Sequence, residues 1–239
     1  MLAQADAESG CLSEFDSKRL LEACGIAMPA ERLVTKREDL EAAMQEVGFP
    51  LALKIQSVDI PHKSEVGGVK LAILDVSSGH AAYRAMREKL KAMRPDAAIQ
   101  GVLVSPMARP GVEIIIGSVR DELFGAILMV GFGGIATELF NDVLYRPAPV
   151  GEAEAASMLR ELKSAPLLQG FRGAPPADIQ ALAGLIARVS LIADALPEIS
   201  DIELNPVIVH PEGDGVTIAD ALIVRGQASA QYRSTKALR

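Results

Sequence analysis

The chain lacks several features that would direct it to particular classes of protein. Tryptophan is absent and aromatic residues make up only 4% of the 239 residues, so the core must be built from Leu, Ile, Val, Ala and Met. The two cysteines, Cys11 and Cys24, are too few for a disulfide framework or a thiolate metal site, which favours a reduced, cytoplasmic protein. No apolar run reaches the length of about 18 residues that a membrane-spanning helix needs.

Positive charge is also in short supply. Lys and Arg number 24 against 31 Asp and Glu, which gives a net charge of −7. Proteins that bind nucleic acids present clustered basic residues to the phosphate backbone, so we expect no nucleic-acid partner. The first residues lack the basic and apolar regions of a signal peptide, and we expect residues 1–10 and 227–239 to be flexible.

Apolar residues, in contrast, make up 49% of the chain, enough for one large domain or two smaller lobes. Predicted strand pairs alternate with predicted helices and end in a β-hairpin of residues 202–209 and 215–224. This order indicates an α+β fold with antiparallel sheets rather than repeated β-α-β units. Ser13 and Asp16 precede the first helix as N-cap candidates, and Ser77 is the expected cap of a helix that ends near Met93.

The most informative stretch begins with Lys54, which lies inside an apolar run. A polar segment with His62 follows, then Gly67 and Gly68, and then a second apolar run from Val69. The pattern predicts a strand, a loop and a returning strand. Because a buried lysine is costly unless its charge is paired, and because glycine lets the backbone approach a ligand, the stretch predicts a polyphosphate site. An ordinary hairpin with a long loop is the alternative.

A second segment suits a nucleoside. Residues 102–107 have the pattern of a short strand at a sheet edge, where one backbone N–H and one C=O are able to pair with adenine. Glu113 follows, and an ionised carboxylate accepts hydrogen bonds from two ribose hydroxyls. The alternative is two strands and a turn, with Glu113 facing solvent.

A third segment contains a cluster of glycines. Gly131, Gly133 and Gly134 follow an apolar strand and predict a loop that passes close to another group. Residue 136 is not a glycine, so the segment does not match a dinucleotide-binding fingerprint. A plain joint between a strand and a helix is the alternative.

The C-terminal hairpin carries clustered oxygen ligands. Asp201, Glu203 and Asn205 alternate with apolar residues and therefore share one face of a strand, and the returning strand brings Asp220 opposite. Such ligands suit Mg²⁺, which keeps waters and substrate phosphates as its other ligands. A solvated strand face is the alternative, although clustered carboxylates repel one another without a cation.

Together these segments resemble the ATP-grasp family, and within it the ATP-grasp (β) subunits of ADP-forming acyl-CoA synthetases such as acetate–CoA ligase. The resemblance runs from Phe15 to Val224. It rests on five strings: Pro50-Leu-Ala-Leu-Lys-Ile, Ile60-Pro-His-Lys-Ser-Glu-Val-Gly-Gly-Val-Lys, Phe124-Gly, Gly131-Phe-Gly-Gly-Ile, and Glu203-Leu-Asn-Pro with Asp220.

The resemblance implies two α+β lobes with antiparallel sheets and a nucleotide between them. The smaller lobe would comprise residues 26–104, and the larger lobe residues 11–25 plus 105–226. Lys54 would contact the α- and β-phosphates of ATP or ADP, and Glu113 the ribose. The implied phosphate-covering loop comprises Ser64, Glu65, Val66, Gly67, Gly68 and Val69. The implied adenine-binding residues, acting through their backbone, are Val104, Ser105 and Met107, and the implied Mg²⁺ ligands are Asn205, Asp220 and Glu203.

The resemblance also implies an activity and a partner. Members of this branch convert acyl-CoA, ADP and phosphate into a carboxylic acid, CoA and ATP, reversibly, through a phosphohistidine on a CoA-binding α-type subunit. We therefore expect a hetero-oligomer. His62 is implied as a catalytic relay for the phosphoryl group, with a structural role in the loop as the alternative. His80 and His210 are expected at the surface.

Two other functions stay open at this point. One is an ATP-grasp ligase that joins a carboxylate directly to an amine or thiol. The other is a non-catalytic nucleotide-binding module that regulates a partner.

Overall fold

The computed structural model describes residues 10–60, 63–134 and 142–226. The helices and strands of these residues follow in chain order: α1 (Glu14–Ala23), β1 (Arg32–Val34), a 3-10 turn (Arg37–Asp39), α2 (Leu40–Val47), β2 (Leu51–Gln56), β3 (Val69–Ile73), α3 (Val76–Met93), β4 (Gly101–Pro106), β5 (Val112–Asp121), β6 (Gly125–Phe132), β7 (Val143–Pro147), α4 (Glu152–Glu161), a 3-10 turn (Ala165–Leu167), α5 (Ile179–Ala195), β8 (Ile199–Val209), β9 (Val216–Ile218) and β10 (Ala221–Arg225).

The chain divides into two compact units. The smaller unit is Pro29–Met107, and the larger unit combines the residues up to Met28 with those from Ala108 onward. The smaller unit thus runs from residue 29 to residue 107, whereas the smaller lobe expected from the sequence runs from residue 26 to residue 104.

The smaller unit is built on a four-stranded antiparallel sheet with the strand order β1-β4-β2-β3. Alternate residues of β2, Leu53 and Ile55 among them, belong to a core that also contains residues of α2 and α3. Because successive side chains of a strand point to opposite faces, Lys54 lies on the face of β2 opposite to these two residues. Because Leu53 and Ile55 face the core, the side chain of Lys54 points to the other face of the sheet.

Two local predictions in the smaller unit are wrong. The N-cap of α3 is Asp75, which accepts a hydrogen bond from Ser78 N (2.7 Å) while its own N–H donates to Ser78 Oγ (3.2 Å); Ser77 lies one residue inside the helix. In addition, β4 is not an edge strand. The sequence analysis missed β1, which pairs with β4 from Arg32↔Val104 onward.

The larger unit is built on a second antiparallel sheet with the order β10-β8-β5-β6-β7, with β9 paired to β8. One face of this sheet packs against α4 and α5 in a second core. Arg120 of β5 fastens the C-terminal end of α5, since its guanidinium donates to the carbonyls of Ile199 (3.2 Å), Leu196 (3.3 Å) and Ala193. Both sheets are antiparallel, which confirms the predicted α+β class.

The N-terminal segment lies along β10. Of the two N-cap candidates, Ser13 caps α1, accepting from Asp16 N at 3.2 Å. Just before the helix, Leu12 N donates to Ile223 O (2.9 Å) and Arg225 N donates to Gly10 O (2.8 Å). The start of the described chain therefore adds backbone hydrogen bonds to the outermost strand of the larger sheet.

Among the helices of residues 10–60, 63–134 and 142–226, none combines the length and apolar character needed to cross a membrane.

Candidate functional site

Lys54 is buried although it carries a charge. All six residues of β2 are buried, and Lys54 itself is 7% exposed. It pairs with Val69 of β3 on one side and with Leu103 of β4 on the other. A lysine in this position requires compensation for the loss of water, and an anionic ligand is one source of it.

The glycine pair closes the loop beside Lys54. Ile55 N donates to Gly68 O (2.8 Å), Gly68 N donates to Lys63 O (2.7 Å), and Gly67 N donates to Ser64 O (3.1 Å). A Cβ at position 68 would lie 2.9 Å from Lys63 O, so this position requires glycine. The two glycine N–H groups bond inside the loop in this conformation. In this conformation the two glycines let the loop fold tightly.

The remaining loop residues differ in exposure. Ser64 and Glu65 are exposed, Val66 is half-buried, and Lys63 is buried at 6%. His62 lies outside the described residues, so its predicted relay role stays a prediction.

The end of β4 carries the residues predicted to hold adenine. Val104 lies between β1 and β2, so its backbone would have to exchange a strand–strand bond for a bond to a base. Met107 N already donates to Pro50 O at 3.1 Å. Ser105 is the first residue past the β1 pairing, and within the described sheet it is paired on one side only, with Ala52 of β2. The interpretation of this segment as a free edge is therefore wrong for Val104.

Ser105 has a second property that points to a ligand. It is 3% exposed, and within the described part of the chain its Oγ has no hydrogen-bond partner. A buried hydroxyl without a partner costs about 1–3 kcal/mol. Ser105 is opposite Ala52 and Leu103 is opposite Lys54, so Ser105 and Lys54 share one face of the sheet. A nucleotide on this face would offer polar atoms to both side chains.

In the larger unit, the glycine loop passes close to Glu113; the glycine pattern predicted a close approach but not the group approached. Gly133 N donates to Glu113 O (2.7 Å). A Cβ at position 133 would lie 3.1 Å from Glu113 Cβ, and one at position 134, where φ is +66°, would lie 3.2 Å from Glu113 Oε2. Glu113 is exposed. The two glycines thus leave room for the carboxylate of Glu113. Residues 135–141, which follow them, lie outside the described residues.

The predicted metal ligands meet in the C-terminal hairpin. Ile202 and Leu204 are fully buried, which turns Glu203 and Asn205 to the other face of β8. Asn205 Nδ2 donates to Glu203 Oε1 (3.3 Å), and Asn205 N donates to Asp220 O (3.2 Å). The described residues contain no group of three His, Cys, Asp or Glu able to hold a metal. The hairpin set consists of two carboxylates and one amide, which is a hard oxygen set of the kind that Mg²⁺ accepts together with waters and phosphates.

Asp178 holds the loop of the same hairpin. Its carboxylate accepts hydrogen bonds from Ala181 N, Gly213 N and Gly215 N, each at 3.0 Å, and so ties the start of α5 to the hairpin loop. The bond from Ala181 N is the largest cause of a lowered pKa at Asp178; burial opposes it, and the two glycine N–H groups lower the pKa further. The carboxylate therefore stays ionised well into the acid range.

The two described histidines differ from one another. His80 lies at the surface as expected, 3.6 Å from Glu41 Oε2. His210 is 2% exposed, which corrects the expectation of a surface residue. Its ring pairs with Thr217 Oγ1 (2.8 Å) and Pro110 O (3.4 Å), and these partners make its burial possible.

Sequence reasoning missed Lys18. This residue of α1 is 2% exposed, and its Nζ lies 2.9 Å from Ala219 O, the carbonyl that precedes Asp220, and 2.9 Å from Glu14 Oε1. The spacing of Glu14 and Lys18 by four residues was a readable signal for an ion pair on one helix face. The sequence offered no signal for its burial.

Comparison with known proteins identifies relatives for nearly the whole chain. The family model of the ATP-grasp domain matches residues 3–224. The β subunit of acetate–CoA ligase [ADP-forming] II from Pyrococcus furiosus is 38% identical over 212 residues, which cover 88% of this chain and 90% of that subunit. A trans-feruloyl-CoA synthase of an unknown prokaryotic organism is also 38% identical, over 92% of this chain, but the match spans only 31% of that longer protein.

A solved structure is similar over the same extent. It is the dinucleotide forming acetyl-coenzyme A synthetase 1 of Ca. Korarchaeum cryptofilum, in complex with coenzyme A, Ca-AMPCP and HgCl⁺. It superposes with a TM-score of 0.89 at 40% identity, over 94% of this chain and 97% of the matched chain. Another structure of that synthetase contains coenzyme A and Mg-AMPPCP, with its phosphohistidine segment pointing towards the nucleotide binding site.

Proposed function

Because the chain belongs to the ATP-grasp family, alongside the β subunits of ADP-forming acetate–CoA ligases, we propose that it is the nucleotide-binding subunit of an ADP-forming acyl-CoA synthetase. The reaction is acyl-CoA + ADP + phosphate = carboxylic acid + CoA + ATP, and it is reversible. The partner is a CoA-binding α-type subunit that carries the phosphohistidine, so the active enzyme is a hetero-oligomer. Neither Cys11 nor Cys24 forms a disulfide within the described residues, which supports a cytoplasmic location.

The observation that carries this proposal is the position of Lys54. A buried lysine lies beside a glycine-closed loop, on the same sheet face as a buried hydroxyl without a partner among the described residues. In this arrangement Lys54 binds the α- and β-phosphates of ATP or ADP. The loop of residues 64–69 covers those phosphates.

We propose the other roles from the resemblance to the ATP-grasp family, with the local contacts of each residue as support. Ser105 and Met107 hold adenine at the end of β4, with Val104 contributing only if a bond between strands is exchanged. Glu113 holds the ribose, in the space that the glycine loop leaves. Glu203, Asn205 and Asp220 hold Mg²⁺. When held there, Mg²⁺ would supply positive charge that offsets the negative charge of the phosphoryl group during its transfer.

We further propose that His62 is the relay for the phosphoryl group. A neutral imidazole nitrogen attacks the phosphorus of the partner's phosphohistidine, so one N–P bond forms as the other breaks. ADP then takes the phosphoryl group from His62 to give ATP. Lys63, the next residue, offers a positive charge to the phosphorylated imidazole.

The test uses the chain together with a CoA-binding α-type subunit. We expect acyl-CoA-dependent formation of ATP from ADP and phosphate, and its reverse, only when both subunits are present. The His62→Ala variant should lose this activity while it still binds Mg-ATP. Near-normal turnover by this variant would contradict the relay role of His62 and would leave the rest of the proposal intact.

Two outcomes reject the function itself. Ligation of a carboxylate to an amine or thiol by the chain alone identifies an ATP-grasp ligase of another kind. Failure of the chain to bind Mg-ATP at millimolar concentration excludes both ligase functions.

A further inference from the structure

Lys18 and Glu14 form a buried ion pair that has no role in the proposed function. Their side chains are 3% and 2% exposed, and Lys18 Nζ lies 2.9 Å from Glu14 Oε1. Burial of two charges costs several kcal/mol per ion before their attraction is counted, so a pair of this kind is weak evidence for stability. An ammonium group has three donors, and the pair leaves it able to make a further contact.

That further contact is made far along the chain. Lys18 Nζ donates to Ala219 O at 2.9 Å, across 201 positions of sequence. Ala219 and Asp220 form the interruption between β9 and β10, where the ladder of the hairpin is not continuous. The side chain of a helix therefore reaches the backbone at the two residues between these strands.

The same interruption carries a proposed metal ligand. Asp220 O accepts from Asn205 N (3.2 Å), and Ala219 N donates to Pro206 O (3.0 Å). These two bonds come from within the hairpin, whereas the bond of Lys18 comes from α1. Lys18 thus fixes the peptide plane that joins Ala219 to Asp220, because the carbonyl it binds belongs to that peptide unit.

We infer that Lys18 is a positioning residue for the Mg²⁺ site, with Glu14 as its counter-ion. By holding the Ala219–Asp220 peptide, it keeps Asp220 opposite Asn205 and so sets the affinity of the nucleotide site for Mg²⁺. Groups that orient metal ligands in this way typically affect metal affinity by about 10- to 100-fold. The inference rests on the proposed function, since it assigns a role toward the proposed metal ligands.

The test removes both charges together. Lys18→Met alone would leave Glu14 buried without its cation, so the variant of choice is the double change Glu14→Leu with Lys18→Met, which replaces the pair by apolar side chains of similar volume. The dissociation constant of AMPPCP is measured by titration calorimetry on the full chain, without Mg²⁺ and over a series of Mg²⁺ concentrations. We expect the Mg²⁺ concentration for half-maximal enhancement of binding to rise about tenfold, while the affinity for AMPPCP without Mg²⁺ stays within about twofold.

Ser17→Ala is the matched control. Ser17 lies beside Lys18 on α1 and is fully buried, and its Oγ accepts from Ile223 N at 3.0 Å. Its loss removes a buried bond between α1 and β10 without touching the Ala219–Asp220 peptide. We expect Ser17→Ala to lower the thermal midpoint and to leave the Mg²⁺ dependence as in the unchanged chain.

If the double variant does not fold, Lys18→Arg carries the test. This variant keeps the positive charge beside Glu14 but replaces the compact ammonium by a planar guanidinium. We expect the Mg²⁺ concentration for half-maximal enhancement of AMPPCP binding to rise about threefold. An unchanged Mg²⁺ requirement in a folded variant overturns the inference. An equal loss of AMPPCP affinity with and without Mg²⁺ also overturns it, because this result shows a general structural role.

The failure of the proposed function gives a different result. In that case the unchanged chain itself does not bind AMPPCP, or binds it without any effect of Mg²⁺. This result overturns the proposed metal site and the role of Lys18 with it.

Discussion

Lys54 of β2 lies directly opposite Val69 of β3, the residue that follows the glycine pair. The pairing of β2 with β3, and not the conformation of the loop between them, therefore places Lys54 beside the residue where the loop ends and β3 begins. Ile55 N binds Gly68 O at 2.8 Å and extends this pairing by one residue into the loop. A phosphate group at Lys54 would thus meet the end of the loop that this hydrogen bond ties to β2.

Lys54→Met should weaken nucleotide binding strongly. Methionine keeps the apolar stem but removes the positive charge, and a hydrogen bond to a charged group contributes about 1.5–3 kcal/mol, which corresponds to a tenfold or larger rise in the dissociation constant. Fluorescence titration with an ATP analogue measures the effect. Lys36→Met is the control, because Lys36 is exposed in the same unit and should leave the affinity as it is. An unchanged affinity in Lys54→Met contradicts the phosphate role.

Ser105→Ala should have opposite effects on stability and on binding. The change removes a buried hydroxyl that has no partner among the described residues, so we expect the free protein to gain about 1 kcal/mol of unfolding free energy. Nucleotide affinity should fall severalfold, since the ligand would lose the partner of its polar group. Thermal unfolding with and without nucleotide measures both effects.

Ser190→Ala is the contrasting variant for Ser105. The Ser190 hydroxyl is buried but accepts from Val150 N at 2.7 Å, so its loss leaves that N–H without a partner and should destabilise the protein by about 1–3 kcal/mol. If both alanine variants lower stability alike, the Ser105 hydroxyl has a structural partner and no role in binding.

Gly68→Ala should reduce nucleotide affinity more than stability. A Cβ there would lie 2.9 Å from Lys63 O, so the loop must shift and the bond from Gly68 N to Lys63 O must lengthen. Gly48→Ala provides the comparison, since φ is +83° at Gly48 and no atom lies within 4 Å of the added Cβ. The left-handed backbone makes Gly48→Ala cost about 1 kcal/mol of stability with no expected change in affinity. Equal affinities of the two variants would show that the loop does not contact the nucleotide.

Asp178 should make the unfolding free energy depend on pH in the acid range. Its pKa is lowered below the ordinary value of 3.8 by the N–H of Ala181 and, against the opposing effect of burial, by those of Gly215 and Gly213. A lowered pKa in the folded state means that the carboxylate stabilises the fold above the unfolded pKa. This contribution is lost as the pH falls through the folded pKa.

Asp178→Asn isolates this effect. Asparagine keeps one oxygen as an N-cap but replaces the oxygen that binds the two glycines, so we expect a loss of about 2 kcal/mol near neutral pH. Urea unfolding of both proteins at about pH 7 and about pH 3 measures the difference, which should shrink at the lower pH. A difference of the same size at both pH values contradicts the assignment.

Sequence patterns predicted the parts of the site that depend on local order. The apolar run around Lys54 predicted a strand that carries the lysine, and the alternation around Glu203 predicted the face that it shares with Asn205. Both patterns are visible within a few residues, and the second arises from the two-residue period of a strand. The glycines at 133 and 134 also indicated a close approach, although the sequence did not identify Glu113 as the group approached.

Features that depend on distant partners were not predictable in this way. The pairing of β1 with β4 turns Val104 into an inner-strand residue, and no pattern in either segment shows which strand will lie beside it. The burial of His210 depends on Thr217 and on Pro110, which is 100 positions away. Lys18 has the sequence context of an ordinary helix lysine, and only the folded chain brings it to Ala219.

The segment of Gly10 to Leu12 has a consequence for the behaviour of the protein in solution. It hydrogen-bonds along the outer side of β10, where a Cβ at position 10 would lie 2.3 Å from Arg225 O, so the contact is close and continuous. An open strand edge is a template on which another molecule can add its own strand. Residues from the beginning of the sequence close this edge of the larger sheet, and their removal would leave a side prone to edge-to-edge association between molecules.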